Sequence, residues 1–247
     1  MDAVDLSQSY ILDIGANDGA DTAYYAARGF RVVAVEANPD VMDRCRARTA
    51  DVADRVTYVC AAVTDAVGPQ TFYVNNREDV WSSLIEEVGA RTHGARAITV
   101  PVVNLTERLS DLSGRILYAK IDIESADEMA LRQVLALSDP PRYVSIENGS
   151  RAMIRALIDA GYGRFAYSNQ RYVPAQRVPT DSRMGRYVDH RFGFGDSGLF
   201  GDDLRQPWIG PEEALAVDDA MAYGRRVAGQ SYTRAFGWFD LHAERRT

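Results

Sequence analysis

Short, almost purely apolar runs alternate along much of the chain with segments whose apolar residues recur at helical spacing. The runs predict buried strands and the periodic segments predict amphipathic helices. The predicted strands lie near 10–14, 31–35, 56–60, 116–121, 142–147 and 164–168, and the predicted helices near 19–28, 39–49, 126–137 and 150–160. Strand–helix alternation with short connections predicts a doubly wound, mostly parallel α/β sheet.

Two regions interrupt this alternation. Residues 64–112 contain a predicted hairpin at Gln70–Asn75, a loop at Trp81–Leu84 and a β-rich run at Ala97–Asn104. We expect them to form an insertion between the third and fourth core strands. Residues 169–247 are rich in arginine, glycine, aspartate and aromatic side chains, and we expect them to form a cap on the same domain.

The predicted cap contains a polar helical segment near 211–228 and a glycine-rich stretch, Gly193–Gly201. Four glycines in nine residues predict a mobile loop, and such loops beside active sites often act as lids. With no repeat and no low-complexity linker, the pattern predicts a single domain over 1–247.

The first predicted strand leads into a turn bracketed by glycines, Asp13-Ile-Gly-Ala-Asn-Asp-Gly19, before the first helix. A strand–turn–helix unit of this kind is typical of nucleotide-binding sites. A dinucleotide-binding G-x-G-x-x-G would need glycine where Asn17 and Ala20 stand, and the Lys-Ser/Thr end of a P-loop is missing.

Glu36 ends the second predicted strand, seventeen residues beyond Gly19. At that place a carboxylate can accept both hydroxyls of a ribose. Asp18 and Asp21 would repel a pyrophosphate at the start of the helix. The predicted ligand is therefore a nucleoside with a positive or zwitterionic group, and S-adenosylmethionine fits that description.

Bulk composition limits the partners and the compartment. The 247 residues carry a formal net charge of −7, which argues against binding along a nucleic-acid backbone. Cys45 and Cys60 are predicted to be small core residues of a reduced protein. Met1–Gln8 does not resemble a signal peptide, and no apolar run reaches the ~20 residues of a membrane helix. We expect a cytoplasmic protein, not inserted in a membrane, that can form a homo-oligomer.

A second polar group follows the fourth core strand. Lys120 is the only lysine among 28 basic side chains, which favours a position that needs a compact ammonium. Two-residue periodicity places Lys120, Asp122 and Glu124 on one face of the strand. The next core strand ends in Glu147-Asn148, and adjacent parallel strands open onto one crevice. We therefore expect Asp122, Glu124, Glu147 and Asn148 to surround one point.

Three uses of this group are open. Asp122 would bind the amino group of the methionine moiety, with Lys120 balancing its charge. Alternatively, Asp122, Glu147 and Asn148 would supply oxygen ligands to Mg²⁺ or Mn²⁺, which would chelate substrate hydroxyls. In the third case Lys120 and Asp122 form a buried salt bridge that only fixes the strand.

A nearby segment, Asp139-Pro-Pro-Arg-Tyr143, resembles the Asp-Pro-Pro-aromatic signature of enzymes that methylate exocyclic amines of bases. That signature directly follows the fourth strand, where this chain has Asp122-Ile-Glu124. Here the prolines precede the fifth strand, where they are expected to end a helix. We therefore predict no nucleic-acid substrate.

Taken in order, the sequence resembles the FkbM-type methyltransferases. The resemblance rests on five segments, Asp13–Gly19, Val35–Pro39, Ser82–Leu84, Lys120–Glu124 and Tyr143–Glu147. A later segment, Ser197–Gly201 with Trp208, is similar to one found in family members that accompany glycan-building enzymes. One departure is Ser125, where the family usually has glycine.

The resemblance implies a class I methyltransferase fold with a seven-stranded sheet, S-adenosylmethionine as cofactor, and O-methylation of a hydroxyl on a sugar, a glycan or a secondary metabolite. By position, it implies that Asp13, Gly15, Asn17 and Gly19 line the methionine end, Glu36 the ribose, Asn38 the ribose or adenine, and Ala61 in the Cys60–Ala62 turn the adenine. Ser83 would bind the cofactor carboxylate or cap the following helix.

Methyl transfer to an alcohol needs a base or a metal, because an alcohol is a poor nucleophile at neutral pH. Of the three histidines, His190 precedes the glycine-rich loop and is the preferred base, whereas His93 lies in the insertion and His242 in the charged tail. Glu124 is the alternative proton acceptor, and Lys120 completes the predicted catalytic group.

Two other functions remain open from the sequence. An N-methyltransferase acting on a small-molecule or peptide amine would use Glu124 and Glu147 to accept the proton. A non-catalytic module would bind S-adenosylmethionine without transferring the methyl group. The intact glycine turn, Glu36 and the Asp122 segment favour an enzyme.

Overall fold

The computed structural model describes residue 6 and residues 8–245, apart from the side chain of Asp79. Most of the Met1–Gln8 segment therefore lies outside the described residues. Within the described part, the chain divides into two compact units, residues 6–141 and residues 142–245. None of the helices in the described part combines the length and the apolar character that crossing a membrane requires.

The first unit contains eight of the described strands and five of the described α-helices. The strands are β1 (Tyr10–Ile14), β2 (Arg31–Glu36), β3 (Val56–Cys60), β4 (Ala62–Val63), β5 (Gln70–Asn75), β6 (Ala95–Val100), β7 (Val102–Val103) and β8 (Ile116–Ile121). The helices are α1 (Ala20–Ala27), α2 (Pro39–Arg48), α3 (Glu86–Gly89), α4 (Leu105–Arg108) and α5 (Asp127–Leu135).

The second unit contains β9 (Tyr143–Glu147), β10 (Tyr162–Asn169), β11 (Phe239–Arg245), α6 (Arg151–Asp159), α7 (Pro211–Ala228) and α8 (Gln230–Phe236). Short 3-10 turns are found at Ala50–Arg55, Asp79–Trp81, Ser110–Leu112, Gln170–Ala175 and Gly201–Asp203. The predicted strands and helices of the core are all present, and none of their ends differs from the predicted one by more than two residues.

Seven strands make up the main sheet, most of them parallel, which confirms the predicted α/β class. In the first unit β1 lies between β2 and β8, β3 lies outside β2, and all four are parallel. Ile14 pairs with both Val35 and Ile121. Because these three strands end in register, the residues that follow them meet at one edge of the sheet.

The core strands form because their apolar runs are buried on both faces. Ile11, Leu12 and Ile14 of β1 and Val32 of β2 are completely buried. Helix α2 begins as predicted: the Asn38 side chain accepts a hydrogen bond from the Asp40 N–H at 3.1 Å, and Pro39 occupies the first turn.

The insertion differs from the predicted hairpin. Gln70–Asn75 is a single strand, β5, and its antiparallel partner is β6, with Asn75 opposite Ala95. The prediction of a compact hairpin within 70–75 was therefore wrong. The pairing joins residues that are twenty (Asn75 and Ala95) to thirty (Gln70 and Val100) positions apart, which local turn signals do not reveal.

Strand β11 was not among the strands predicted from the sequence, because its apolar residues are interleaved with Asp240, His242 and Glu244. The structure buries all three. Glu244 accepts hydrogen bonds from Arg142 at 2.7 Å and Arg164 at 2.5 Å, so an ionic group becomes acceptable inside the sheet. The segment expected to form only a cap thus also supplies β11, which lies between β9 and β10 and runs antiparallel to both.

The glycine-rich stretch Gly193–Gly201 has two different halves. Phe194 is largely exposed, whereas Leu199 and Phe200 are buried. The Leu199 N–H donates to Gln176 Oε1 at 2.8 Å. The second half is therefore anchored, and only the first half has the exposure expected of a loop that can move.

Candidate functional site

The turn between β1 and α1 is tightly constrained at Gly15. Gly15 has φ of 83°, and a Cβ built there would lie 1.7 Å from the Asp122 carbonyl oxygen. The N–H groups of Gly15 and Ala16 both donate to Val35 O at 2.9 Å. Only glycine fits here, because the turn after β1 approaches the backbone that follows β8.

Gly19 ends the same turn and begins α1. It also has a left-handed φ of 83°, and a Cβ there would lie 2.7 Å from the Cys45 sulfur of α2. Asn17, with φ of 46°, is the third left-handed residue of the turn. Asparagine tolerates that region better than most side chains. All three positions are thus occupied by residue types that tolerate a positive φ.

Glu36 contacts this turn from the end of β2. Its Oε2 accepts the Asn17 N–H at 3.2 Å, and its Oε1 accepts the Asn38 N–H at 2.8 Å. A carboxylate has about four lone-pair sites, so both oxygens keep capacity for a ligand hydroxyl. Burial raises the pKa of Glu36, against hydrogen bonds from the two asparagine backbones that lower it. The two backbone hydrogen bonds fix the orientation of the carboxylate, and its contact with a ribose stays a prediction.

Ala61 is far from Glu36 in the sequence, but the backbones of the two residues are in contact. Its N–H donates to Glu36 O at 3.0 Å, and its side chain is buried. The predicted adenine-side residue is thus adjacent to the predicted ribose residue. Its contact with adenine stays a prediction, as does that of Asn38.

Lys120 lies at the centre of a buried charge network. Its Nζ donates to Gly15 O at 2.7 Å and lies 3.3 Å from Asp13 Oδ1, 3.8 Å from Asp122 Oδ2 and 4.0 Å from Asp21 Oδ2. Burial by itself would lower the pKa of the ammonium, but the Asp13, Asp122 and Asp21 carboxylates outweigh it and raise the pKa above its ordinary value. Lys120 therefore remains protonated and ties both turns together.

Asp13 and Asp122 play different parts in this network. Asp13 is completely buried, and its second oxygen accepts the Thr22 hydroxyl at 2.5 Å. Asp122, in contrast, keeps 36% of its side chain exposed. Asp13 thus supports the turn from behind, whereas Asp122 is the carboxylate that a ligand amino group can reach.

The turn that follows β8 contains two left-handed residues that are not glycine, Glu124 with φ of 49° and Ser125 with φ of 81°. Asp127 supports them: its two oxygens accept the N–H groups of Ile123 at 2.9 Å and Ser125 at 3.2 Å. The departure from the family pattern at Ser125 thus falls where the backbone conformation favours glycine.

Ser83 and Arg91 of the insertion contact this turn. The Ser83 hydroxyl donates to Glu124 O at 3.1 Å and accepts the Ile85 N–H at 3.1 Å. Arg91 Nη2 donates to Glu124 Oε1 at 2.8 Å. The Ser83 hydroxyl thus already has two partners within the protein, and its contact with a cofactor carboxylate stays a prediction.

Arg91, Thr22 and Asp127 were not singled out from the sequence. Asp127 had a local signal, because an acidic residue is favoured in the first turn of a helix. Arg91 had none: it is separated from Glu124 by more than thirty residues, and nothing in its own segment distinguishes it from the other arginines.

The remaining predicted residues lie in the second unit. His190 packs edge-on against Phe192, with ring centroids 4.8 Å apart. Glu147 ends β9, where it pairs with Asp240, and Asn148 follows in a left-handed conformation with its N–H donating to Phe239 O at 2.9 Å. Their roles as base or metal ligands stay predictions.

Among the described residues, no group of three or more His, Cys, Asp or Glu side chains is arranged to hold a metal ion. The predicted site at Asp122, Glu147 and Asn148 therefore has no support from the structure.

Comparison with known proteins gives a family match and several structures of low similarity. No curated protein matches the chain. Among solved structures, the precorrin 8W decarboxylase of Methanobacterium thermoautotrophicum is 15% identical, with a TM-score of 0.37 over 65% of this chain and 68% of that one. A putative RNA methyltransferase of Pyrococcus horikoshii is 12% identical, with a TM-score of 0.36 over 67% of this chain and 66% of that one.

A third similar structure is the Burkholderia thailandensis 1,6-didemethyltoxoflavin-N1-methyltransferase with bound 1,6-didemethyltoxoflavin and S-adenosylhomocysteine. It is 14% identical, with a TM-score of 0.38 over 97% of this chain and 72% of that one. At such low identity and score, these similarities indicate nothing about the function of this chain.

The family model provides the assignment. The methyltransferase FkbM domain matches residues 13–162, which include both strand-end turns, Glu36 and the whole insertion. Membership implies methyl transfer that depends on S-adenosylmethionine. The chain belongs to the FkbM methyltransferase domain family.

Proposed function

We propose that the protein is an S-adenosylmethionine-dependent O-methyltransferase whose acceptor is a hydroxyl of a sugar, a glycan or a secondary metabolite. The observation that carries the proposal is the position of Glu124, two residues beyond Asp122 on the turn after β8. Its side chain keeps 21% of its surface exposed. A carboxylate next to the methyl donor and open to an acceptor can remove a hydroxyl proton.

The polar groups at the strand ends of the first unit suit the ribose and the amino group of S-adenosylmethionine. Glu36 keeps acceptor capacity for the ribose hydroxyls, Asp122 is accessible to an amino group, and Gly15 lets the turn after β1 lie directly against the backbone of Asp122. When bound, S-adenosylmethionine supplies an electrophilic methyl group on a sulfonium. The remaining tasks, which are orienting the acceptor and accepting its proton, belong to the protein.

Glu124 suits the second task. Burial raises its pKa, while the ion pair with Arg91 lowers it in part. A base is most effective when its pKa lies near the working pH. During methyl transfer to the acceptor oxygen, the Glu124 carboxylate would accept the proton that the hydroxyl loses.

The first test is calorimetric titration of S-adenosylhomocysteine into the wild type, Glu36→Ala and Glu107→Ala. Glu107 is an exposed carboxylate of α4 and serves as the matched control. We expect micromolar binding in the wild type and the control and at least about tenfold weaker binding in Glu36→Ala, from the loss of charge-assisted hydrogen bonds to the ribose. Absence of binding in the wild type would refute the proposal.

The second test is an acceptor panel that compares hydroxyl and amine compounds, with and without EDTA. Transfer to hydroxyls supports the proposal, and transfer to amines alone would favour the N-methyltransferase alternative. Binding of S-adenosylhomocysteine without transfer to any acceptor would favour a non-catalytic module. Loss of transfer in EDTA would revive the Mg²⁺ or Mn²⁺ prediction.

The pH dependence of kcat/KM tests the base. Because the raised pKa of Glu124 keeps it protonated at low pH, the rate should rise with pH as Glu124 ionises, and Glu124→Gln should remove that limb. If the limb is retained in Glu124→Gln and lost in His190→Asn, the base is His190.

A further inference from the structure

The turn after β8, residues 122–127, has a conformation that its own residues do not favour. Glu124 and Ser125 are consecutive and both left-handed, with φ of 49° and 81°. Residues with a Cβ rarely adopt this region, and such conformations persist where the surrounding structure holds them. Contacts with other residues must therefore hold the 122–127 turn in this conformation.

Asp127 holds the turn from within, through the N–H groups of Ile123 and Ser125. Two groups from outside hold it at Glu124. Ser83 bonds the Glu124 carbonyl oxygen at 3.1 Å, and Arg91 bonds the Glu124 carboxylate at 2.8 Å. Backbone and side chain of the same left-handed residue are therefore both fixed by the insertion.

Arg91 is itself fixed on two sides. Its guanidinium lies over the Trp81 ring, 4.9 Å from the centroid. Its backbone carbonyl accepts the Asn75 side-chain amide at 3.1 Å, and the same amide donates to Gly89 O at 2.8 Å. Asn75 is buried at the end of β5, so the position of Arg91 is set by the strands of the insertion.

We propose that the insertion is a clamp, formed by Asn75, Ser83 and Arg91, that holds the 122–127 turn in its left-handed conformation. Arg91 is a positioning residue: it orients Glu124 and, through the same turn, the backbone of Asp122. The consequence for methyl transfer depends on the proposed function, whereas the effect on the turn does not.

The contact differs from an ordinary surface ion pair. Arg96, on the neighbouring strand β6, pairs with Asp40 at 3.4 Å, and both of these side chains are mostly exposed. Such pairs contribute little. Arg91 has a shorter contact to a partly buried carboxylate, an aromatic face and a fixed backbone. Arg96→Ala is therefore the matched control.

The experiment measures amide hydrogen exchange of the 122–127 segment by mass spectrometry in the wild type, Arg91→Ala, Arg91→Lys and Arg96→Ala, without ligand. Calorimetry then measures the affinity of each for S-adenosylhomocysteine. We expect Arg91→Ala to exchange at least about tenfold faster in this segment and to bind about tenfold more weakly, from local opening that costs the ligand its ordered turn.

The conservative and compensating variants sharpen the result. Arg91→Lys keeps the charge but not the planar group over Trp81, so its exchange should lie between those of the wild type and Arg91→Ala. Adding Ser125→Gly to Arg91→Ala should restore exchange to within about threefold of the wild type, because glycine adopts the left-handed conformation without help.

Unchanged exchange at 122–127 in Arg91→Ala would overturn the clamp. So would an equal rise in β1 and β2, because Arg91 would then contribute only to general stability. If the wild type fails to bind S-adenosylhomocysteine while Arg91→Ala still exchanges faster at 122–127, the proposed function fails and the clamp stands.

Discussion

The turns after β1 and β8 meet at one edge of the sheet and both adopt positive φ, but with different kinds of residue. Each needs residues with positive φ where a strand ends. After β1 these are Gly15, Asn17 and Gly19, which suit the conformation by themselves. After β8 they are Glu124 and Ser125, which do not. The first turn is determined locally, whereas the second depends on Asp127 and on the clamp.

The two turns also differ in how far their conformation could be predicted from the sequence. The first turn was recognised in the sequence because glycine spacing is a local signal. The second was recognised only as a group of polar residues, and its conformation was not. Three substitutions, taken from the largest expected effect to the smallest, test this difference between the two turns.

The largest effect is expected for Gly15→Ala. A Cβ would lie 1.7 Å from the Asp122 carbonyl oxygen, so the two turns would have to separate. We expect the free energy of unfolding to fall by about 4 kcal/mol or more, at the upper end for single substitutions. Binding of S-adenosylhomocysteine should be lost. Urea unfolding and calorimetry measure the two effects.

Gly68→Ala is the control for this prediction. Gly68 has a similar φ of 78°, but a Cβ there would meet no atom within 4 Å. Its cost should be limited to backbone strain, about 1–2 kcal/mol, with cofactor affinity unchanged. Equal losses in the two variants would show that φ, and not the approach to Asp122, makes glycine necessary at position 15.

The second effect is expected for Lys120→Met, which removes the ammonium shared by the two turns. Asp13 would stay completely buried, with the Thr22 hydroxyl but without its cation. Removing one partner of a buried ion pair costs about 3–5 kcal/mol. The double variant Asp13→Asn with Lys120→Met should recover part of this loss in urea unfolding. A Lys120→Met variant as stable as the wild type would contradict the structural part assigned to Lys120.

The smallest effect, and the only stabilising one, is expected for Ser125→Gly. Relief of the left-handed strain exceeds the entropy cost of a new glycine, so stability should rise by about 0.5–1 kcal/mol. Thermal unfolding measures it as an increase of a few degrees at most. A decrease would mean that the turn after β8 is not strained at Ser125, and the contrast between the two turns would disappear.

Much of the fold could be predicted from the sequence, because most core strands are continuous apolar runs. Strands β1, β2 and β8 are mostly apolar and buried on both faces, so their runs are distinct. Strand β11 alternates apolar residues with Asp240, His242 and Glu244, and it was missed. Burial lowers the pKa of His242 to about 4, so it is held neutral inside the sheet, contrary to its expected place in a charged tail.

The candidate site was predicted in the same uneven way. Gly15 was predicted from the spacing of the glycines, and Glu36 and Asp122 were predicted because the ends of parallel strands share an edge. The partners that orient them could not be found so readily: Arg91 reaches Glu124 across more than thirty residues, and Thr22 reaches Asp13 from the far side of a turn.

The α/β alternation, the glycine turn after β1, the carboxylate at the end of β2 and the family can all be predicted from the chain, because they depend on local conformational preference, on short motifs and on the period of apolar residues. The folded structure was needed to show that β5 pairs with β6, that Glu244 is neutralised by two arginines, that Lys120 joins the two turns, and that Arg91 orients Glu124. Those features depend on which distant groups meet once the chain has folded, and no local pattern records that.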